Sequence, residues 1–412
     1  MNVSTIWTLA LVYFALYLSF LWIVLYSENK KTLFIDPKTK RYPLVSIVIP
    51  IYGGNTKEEV LRAVNSCKSL TYPKKEIIIA WNGKKSKLYD FCKSIKGVKV
   101  ISTQKKGKAA GMNEALKYVK GELFTCLDAD SYLEKDSLNH VVGYFEDKKV
   151  GAVAMSMRVA HPKTWVEKIQ WVDYIFGIYL RKLATLLNAL YVISGPGGTY
   201  RTSTIKKIGG FDEENLTEDM EIAYRLQVNG YKIKNSLNAF VYTSAPKNMW
   251  GLILQRMRWY GGTVLNAVKY KQLFFNPKSG VFGMLILPAS FVWVVVALYY
   301  LILIIKDFFM FIFSLLRTLV LTNFDFRIYL NLLKSSMLPG LSYTYWYLVI
   351  FLGISVLVMY VSLKLSKERV DMQHKYIGYM LYFLANSILM GIFWIFTLAY
   401  LAIRPKYDML RW

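Results

Sequence analysis

The sequence predicts an α/β domain on a largely parallel sheet, set between apolar helices long enough to cross a membrane. Three observations lead there. From about residue 43, short β-branched apolar runs alternate with amphipathic helical runs, the pattern of a parallel sheet with helices on both faces. Four stretches (1–27, 281–305, 335–363 and 376–403) contain no Asp, Glu, Lys or Arg, and each exceeds the roughly 20 residues that span about 30 Å of hydrocarbon. A long polar segment, residues 28–280, separates the first of them from the rest.

Composition narrows the class further. The chain has 412 residues, room for two or three domains or one large domain with additions. A hydrophobic content of 54% excludes disorder, and three cysteines exclude a disulfide scaffold. Lys and Arg number 52 against 27 Asp and Glu, a net charge of +25. That excess fits a face held against anionic lipid or a site for anionic substrates. No nucleic-acid module pattern is present, so no nucleic acid partner is expected.

The first apolar stretch has no Lys or Arg before it, so it lacks the positive start of a secretory signal. Its positive charges follow it, at Lys30, Lys31, Lys38, Lys40 and Arg41. The positive-inside rule then places the polar segment in the cytoplasm of an integral membrane protein. The cysteines Cys67, Cys92 and Cys126 show no CxxC spacing, as a reducing compartment allows. With His140, His161 and His374 far apart, no His/Cys zinc site is expected.

Within the polar segment the elements follow in order. Residues 45–51 (VSIVIPI) read as a buried strand. Residues 56–69 read as an amphipathic helix with Val60, Leu61, Val64 and Cys67 on one face. A strand at 76–81 (EIIIAW) closes at Asn82-Gly83. A helix over 86–95, a strand at 98–102, a helix over 108–119 and a strand at 122–127 (ELFTCL) follow. Beyond them, 137–146 and 164–188 read as helices, and 191–194 as a strand running into Gly195-Pro196-Gly197-Gly198. Residues 218–229 read as a helix, 231–234 and 239–243 as short strands, and 248–270 as an amphipathic helix. Ligands of such sheets bind beyond the carboxyl ends of the strands.

Chemistry-bearing residues gather at those ends. Asp128 and Asp130 follow the fourth strand, and a close carboxylate pair suits a hard divalent cation that shares its oxygens with substrate phosphates. Thr217, Glu218 and Asp219 open a helix. They suit helix capping and the helix dipole, and equally a general base for a hydroxyl. Gln255, Arg258 and Trp259 stand at i, i+3 and i+4 on one helix face, with Arg256 pointing elsewhere. The basic run Lys105-Lys106-Gly107-Lys108 precedes a helix N-terminus, where anions bind. Gly197 and Gly198 either let a ligand approach the backbone or form a tight turn.

Taken in order, these pieces resemble the family 2 glycosyltransferases, above all the membrane-embedded branch of hyaluronan, chitin and cellulose synthases. The residues that carry the resemblance are VSIVIPIY (45–52), GKAAGMN (107–113), Asp128-Ala129-Asp130, SGPGGTYR (194–201), GGFD (209–212), Thr217-Glu218-Asp219 and QRMRW (255–259). The segment 169–181 is also similar to that region of the processive enzymes, and the likeness covers roughly residues 43–275.

The resemblance implies a GT-A fold (Rossmann-like, mostly parallel) and inverting transfer from a nucleotide-diphosphate sugar. It implies three parts: an N-terminal transmembrane helix (1–27), a cytoplasmic catalytic domain with interfacial helices toward its end (28–275), and a transmembrane region of three or four spans (276–412). By the same likeness Asp130, with Asp128, would hold Mn²⁺ or Mg²⁺. Asp128 would also contact the nucleotide, and Tyr52, Asn82, Lys108, Gln255 and Arg258 would complete the donor site. Asp219 would be the general base, with Glu218 beside it. Trp259 would stack beneath the acceptor sugar, with Gly197 and Gly198 nearby. One departure stands out: where family members carry Asp after the second strand, this chain has Trp81 and Asn82. A uracil nucleotide is expected.

The acceptor stays open at this point. A growing polysaccharide, with or without translocation, fits the QRMRW face and the 169–181 likeness. The stretch 308–316 reads as either an interfacial helix or a short fifth span, and four or five spans are few from which to line a polymer channel; a ceramide-like or polyprenyl lipid acceptor at the bilayer surface needs no channel. A membrane scaffold or transporter without catalysis is a third reading, against which the intact carboxylate pairs weigh.

Overall fold

A computed structural model of the chain describes residues 3–324, 327, 343–368 and 376–403. The alternating pattern folds as expected in its first half. Helix α1 is Val3–Asn29, followed by β1 (Val45–Tyr52), α2 (Lys57–Lys68), β2 (Lys75–Asn82), α3 (Lys87–Ser94), β3 (Lys99–Thr103), α4 (Lys108–Leu116) and β4 (Leu123–Cys126). A Thr56/Glu59 capping box starts α2, which buries Val60, Ala63, Val64 and Cys67. Leu61, expected on that face, is 38% exposed, and Ala63, three residues after Val60, takes its place.

The second half brings β5 (Tyr132–Leu133), α5 (Asn139–Val142), β6 (Val150–Val159), α6 (Trp165–Leu186), β7 (Thr199–Arg201), α7 (Thr202–Lys207), α8 (Glu218–Val228), β8 (Lys232–Thr243) and α9 (Met249–Lys269). All strands join one sheet in the order β3-β2-β1-β4-β7-β6-β8-β5. The β1, β2, β3 and β4 pairings are parallel, as is β6 with β8, whereas β7 runs antiparallel to both its neighbours and β5 antiparallel to β8. The expected parallel core is present, and β7 reverses direction in the middle of a mixed sheet.

Three local differences have physical causes. The two short strands expected at 231–234 and 239–243 are one strand, β8, whose pairing with β6 shifts between Ala154 and Ser156. There Ser236 Oγ accepts from the Asn238 and Ala239 amides and holds the irregularity. The strand expected at 191–194 is extended chain without a ladder; the Ile193 amide donates to the Asp219 carbonyl at 3.3 Å. Strand β6 is buried along its whole length, so it lacks the alternation by which a half-exposed strand is recognised.

Helices α6 and α9 lie between the sheet and the C-terminal helices. Helix α6 packs on β6 and β8 from one side, and on the Tyr343–Ser366 and Tyr376–Ile403 helices from the other. Helix α9 also packs on Tyr376–Ile403. Stretches 281–305 and 308–316 belong to one helix, α10 (Leu287–Leu321), entered through a π-helical turn at Phe282–Ile286. The sequence breaks this run at Lys306-Asp307, but two charges do not interrupt backbone hydrogen bonding. Two segments, Ala10–Asn29 and Phe282–Leu321, are long and apolar enough to cross a membrane. Along α10 the large apolar side chains of Phe308, Phe309, Met310, Phe311 and Phe313 are exposed. The N-terminal part of the expected span 335–363, and the tail charges Arg404, Lys406 and Arg411, lie outside the described residues.

One tie joins the sheet to the C-terminal helices. The Arg158 guanidinium of β6 lies 3.6 Å over the Phe240 ring. It donates to Tyr242 Oη at 2.9 Å and to the Ser366 carbonyl, and pairs with Glu368 at 3.6 Å.

Candidate active site

The parallel register brings the chemistry to one edge. Tyr52 pairs with Asn82, so β1 and β2 end together, and Val48 pairs with Cys126 two residues before Asp128. Lys108 is the first residue of α4. Its Nζ reaches Asp128 Oδ1 at 2.6 Å and Glu218 Oε1 at 3.2 Å. The loop before β7 passes through the same space. A side-chain carbon on Gly195 would meet Lys108 Nζ at 2.9 Å, Asp128 Oδ2 at 3.5 Å and Asp219 Oδ2 at 3.7 Å. Lys108, Asp128 and Asp219, spread over more than a hundred residues of chain, therefore surround one glycine, and Glu218 joins them through Lys108.

Gly195, not Gly197 or Gly198, is the glycine that faces the charged cluster. Gly197 has φ +83° and backs onto Met155 and Val241, where a Cβ would come within 3.0 Å and 2.9 Å. Its amide donates to the Cys126 carbonyl at 2.8 Å, and the Gly198 carbonyl accepts from the Cys126 amide at 2.9 Å. The tight-turn reading fits this pair: they fasten the loop to β4.

The turn holding Asp219 is fixed from α9. Thr217 stands at the N-cap position of α8 but makes no side-chain cap bond. Its Oγ1 accepts from Asn266 Nδ2 at 3.1 Å instead, and Asn215 Nδ2 donates to Asn266 Oδ1 at 2.7 Å. A Cβ on Gly262 would fall 2.2 Å from Thr217 Oγ1, so only glycine lets α9 approach this closely.

Electrostatics separates the carboxylates. Burial raises the Asp219 pKa most, Glu218 raises it further, and Lys108 and Arg258 oppose them; the result is about 6. Burial also disfavours the Glu218 anion, yet Lys108 and Arg258 outweigh it and hold its pKa below the ordinary glutamate value. The two adjacent carboxylates thus differ: Glu218 is held more readily as the anion, and Asp219 binds a proton more readily than a free aspartate. Lys108 loses by burial but gains more from Asp128 and then Glu218, so its pKa lies above the usual lysine value.

Asp130 follows Asp128 by two residues. Burial and then Asp128 raise its pKa to about 6, and Ser131 Oγ donates to its Oδ1 at 3.0 Å. A buried carboxylate raised by its neighbour is the charge arrangement that a divalent cation relieves. Among the described residues no group of three His, Cys, Asp or Glu gathers as a metal cage. The donor set is two carboxylates, which fits Mg²⁺ or Mn²⁺ completed by substrate phosphates and water.

Tyr52 is 43% exposed, and Asp130 and Glu59 contribute to a raised phenol pKa after burial. Asn82 Nδ2 donates to the carbonyls of Lys105 and Gly107, both at 2.7 Å. Its amide donors therefore hold the loop before Lys108, and Oδ1 is the remaining polar atom. Trp81 is fully buried and donates its indole N–H to the Gly83 carbonyl at 3.1 Å, which makes it core.

On α9, Arg256 pairs with Asp173 Oδ2 of α6 at 2.7 Å, and its guanidinium lies 4.3 Å over the Trp259 ring. Tyr174 lies 6.4 Å from Trp259, tilted by 52°. The spacing Asp173, Gly177, Arg181 places three site-facing positions on one face of α6, a signal in the sequence beyond the resemblance of 169–181.

Residues 46–209 match the family model for glycosyl transferase family 2. That match and the synthase relatives mark a glycosyltransferase on a GT-A-like sheet; Asp219 and the QRMRW helix lie beyond the matched residues. Its relatives include the poly-beta-1,6-N-acetyl-D-glucosamine synthase of Staphylococcus epidermidis, 29% identical over 310 residues, covering 71% of this chain and 74% of that protein. The same-named synthase of Staphylococcus aureus is 28% identical over 312 residues, with the same coverage. A mannosyltransferase of Pyrobaculum calidifontis, in complex with GDP-Man and Mn²⁺, overlaps with a TM-score of 0.49 at 19% identity, over 64% of this chain and 75% of that one. That overlap is too loose to bear on chemistry.

Proposed function

We propose that this enzyme extends a polysaccharide of N-acetylglucosamine at the cytoplasmic face of a membrane, with UDP-N-acetylglucosamine as donor. The observation that supports the reading is the convergence of Lys108, Asp128 and Asp219 on Gly195, with Glu218 bound to the same lysine. The polymer synthases among its relatives supply the sugar.

In this reading Asp219 takes the proton from the acceptor hydroxyl, whose oxygen attacks the anomeric carbon as the bond to the diphosphate breaks. Inversion follows from attack opposite the leaving group. Lys108 and Arg258 neutralise charge on the departing nucleoside diphosphate, and Gln255 borders the same pocket. Asp130 and Asp128 would hold a Mn²⁺ or Mg²⁺ ion, which supplies Lewis-acid stabilisation of the diphosphate. Asn82 Oδ1 accepts from a base N–H, as uracil N3–H offers, and Tyr52 borders the nucleotide. Trp259 and Tyr174 form the platform beneath the acceptor sugar, with Gly197 and Gly198 securing the loop behind it.

The same reading divides the chain into a membrane helix (1–27), a catalytic domain (28–275) and a C-terminal membrane region (276–412). The exposed apolar flank of α10 supports lipid contact, and the charges after the first stretch support a cytoplasmic catalytic domain.

The test is purified full-length enzyme with a panel of nucleotide sugars and Mn²⁺ or Mg²⁺, the product sized by gel and mass spectrometry. A ladder from UDP-N-acetylglucosamine is expected, abolished by chelation. A single sugar on an extractable lipid would replace the polymer with a glycolipid. No nucleotide release from any donor would end the catalytic reading.

A further inference from the structure

Arg181 of α6 is a partly buried cation with two unmet donor nitrogens. Among the described residues neither Nε nor Nη2 has a hydrogen-bond partner, and both atoms are shielded from solvent. The two N–H bonds lie on one edge of the guanidinium, the fork that grips a pair of oxygens side by side. Burial lowers the Arg181 pKa, and the charges and phenols of Tyr191, Tyr174, Asp173 and Asp219 act against it. It pairs with neither carboxylate: Asp173 is taken by Arg256. Leaving such a group without a partner is costly, so the arrangement is suited to a ligand that brings its own oxygens.

Room for the fork is built in. A Cβ on Gly177 would lie 3.3 Å from Nη1, 3.4 Å from Nη2 and 3.5 Å from Cζ of Arg181, so the guanidinium rests over a residue without a side chain one turn earlier. Among the described residues two other buried polar atoms bear on this end of the molecule: Ser194 Oγ, beside Gly195, and Gln255 Oε1 on α9 are also unpartnered. Arg181 shares α6 with Tyr174, and Gln255 shares α9 with Trp259.

We propose that Arg181 is an acceptor-binding and specificity-determining residue, whose Nε/Nη2 fork grips two neighbouring oxygens of the acceptor sugar and sets its hydroxyl against Asp219. The ligand is a neutral sugar, because a second anion would meet the Asp173 and Asp219 carboxylates, while the diphosphate already has Lys108 and Arg258. The platform of Tyr174 and Trp259 fits a pyranose face. This assignment rests on the proposed function and adds the group that selects the acceptor.

The experiment uses full-length enzyme in lipid nanodiscs, UDP-N-acetylglucosamine, and a short β-1,6-linked N-acetylglucosamine oligosaccharide as acceptor probe. Nucleotide release is measured with and without the probe, and probe binding is measured by calorimetry. Arg181→Lys, which keeps the charge and loses the fork, and Arg181→Gln should raise the probe's KM and Kd about ten- to hundred-fold. The donor KM and acceptor-independent release should stay within about two-fold of wild type. Gly177→Ala, which crowds the guanidinium without removing it, should move the probe's KM in the same direction and serves if the Arg181 variants fold poorly. An unchanged probe KM and Kd, or a donor KM raised by the same factor, overturns the assignment. If wild-type enzyme releases no nucleotide, the proposed function fails, and calorimetry still judges Arg181.

Discussion

Arg256 and Asp173 meet at 2.7 Å between α9 and α6, and the same guanidinium covers the Trp259 ring at 4.3 Å. The pair sits beside the proposed acceptor platform and joins the two helices that carry it. Arg256 is almost wholly buried and Asp173 partly so. Breaking such a pair from one side leaves a charge without its partner, at about 3–5 kcal/mol for a fully buried pair and less here because Asp173 keeps solvent contact. Arg256→Ala is expected to lower both thermal stability and acceptor affinity. A double-mutant cycle with Asp173→Ala should show coupling above about 1 kcal/mol; additive effects would mean that the ion pair is incidental.

Asp219→Asn should cut transfer by about 10²–10⁴-fold with donor Kd nearly unchanged, read by calorimetry with UDP. The same change is expected to stabilise the fold at neutral pH. The folded pKa of Asp219, about 6, lies above its ordinary 3.8. Its stabilising contribution is therefore present below about pH 3.8 and lost as pH rises through about 6. At pH 7.5 the Asn variant should melt higher than wild type, with the gap closing toward pH 4. Near-normal turnover would refute the base assignment.

The same shift sets a pH profile. Protonated Asp219 cannot accept the acceptor's proton, so kcat/KM should fall as pH drops through about 6. Glu218 raises that pKa, so Glu218→Gln should move the acid limb to lower pH, even though overall activity declines with the loss of the Lys108 partner. A limb that stays in place would show that another group controls it.

Gly262→Ala should separate the Asp219 turn from α9. The added carbon would fall 2.2 Å from Thr217 Oγ1, and overpacking of this kind costs about 1–3 kcal/mol. Acceptor transfer should fall, since the displaced turn carries the proposed base, and donor affinity should fall with it, since Glu218 of the same turn holds Lys108; wild-type transfer would show that the turn accommodates the carbon.

Asn82→Asp, although it restores the residue type common in the family, should weaken donor binding. Asn82 donates to two carbonyls, at Lys105 and Gly107, both at 2.7 Å. A carboxylate cannot donate to either and would repel both, freeing the loop that positions Lys108. A rise in donor KM of about ten-fold checks this; an unchanged KM would detach Asn82 from the loop.

What was legible in the sequence was local. The strands β1 to β4 announced themselves as short β-branched runs, and Asp128, Lys108 and Asp219 stood where such runs end or a helix begins. Their meeting around Gly195 was not written in any single stretch, because it depends on the mixed pairing of β7 and on a loop fixed to Cys126. Strand β6 escaped notice because burial on both faces removes alternation. Arg181 and Asp173 looked like ordinary helix residues, since neither the vacancy at Gly177 nor the bond to Arg256 can be seen until α6 and α9 are side by side. Asn82 was read as a base contact, and its grip on the Lys105–Gly107 backbone depends on a strand that comes later in the chain.

The clasp of Arg158 on Tyr242 and the end of the Tyr343–Ser366 helix has a mechanical consequence. Because one guanidinium is wedged against an aromatic ring and bound to both partners, that helix end and the β6–β8 edge behave as a single stiff lever. Any tilting of the lever would be transmitted to the strands flanking the loop of Gly195 rather than absorbed at a hinge between them.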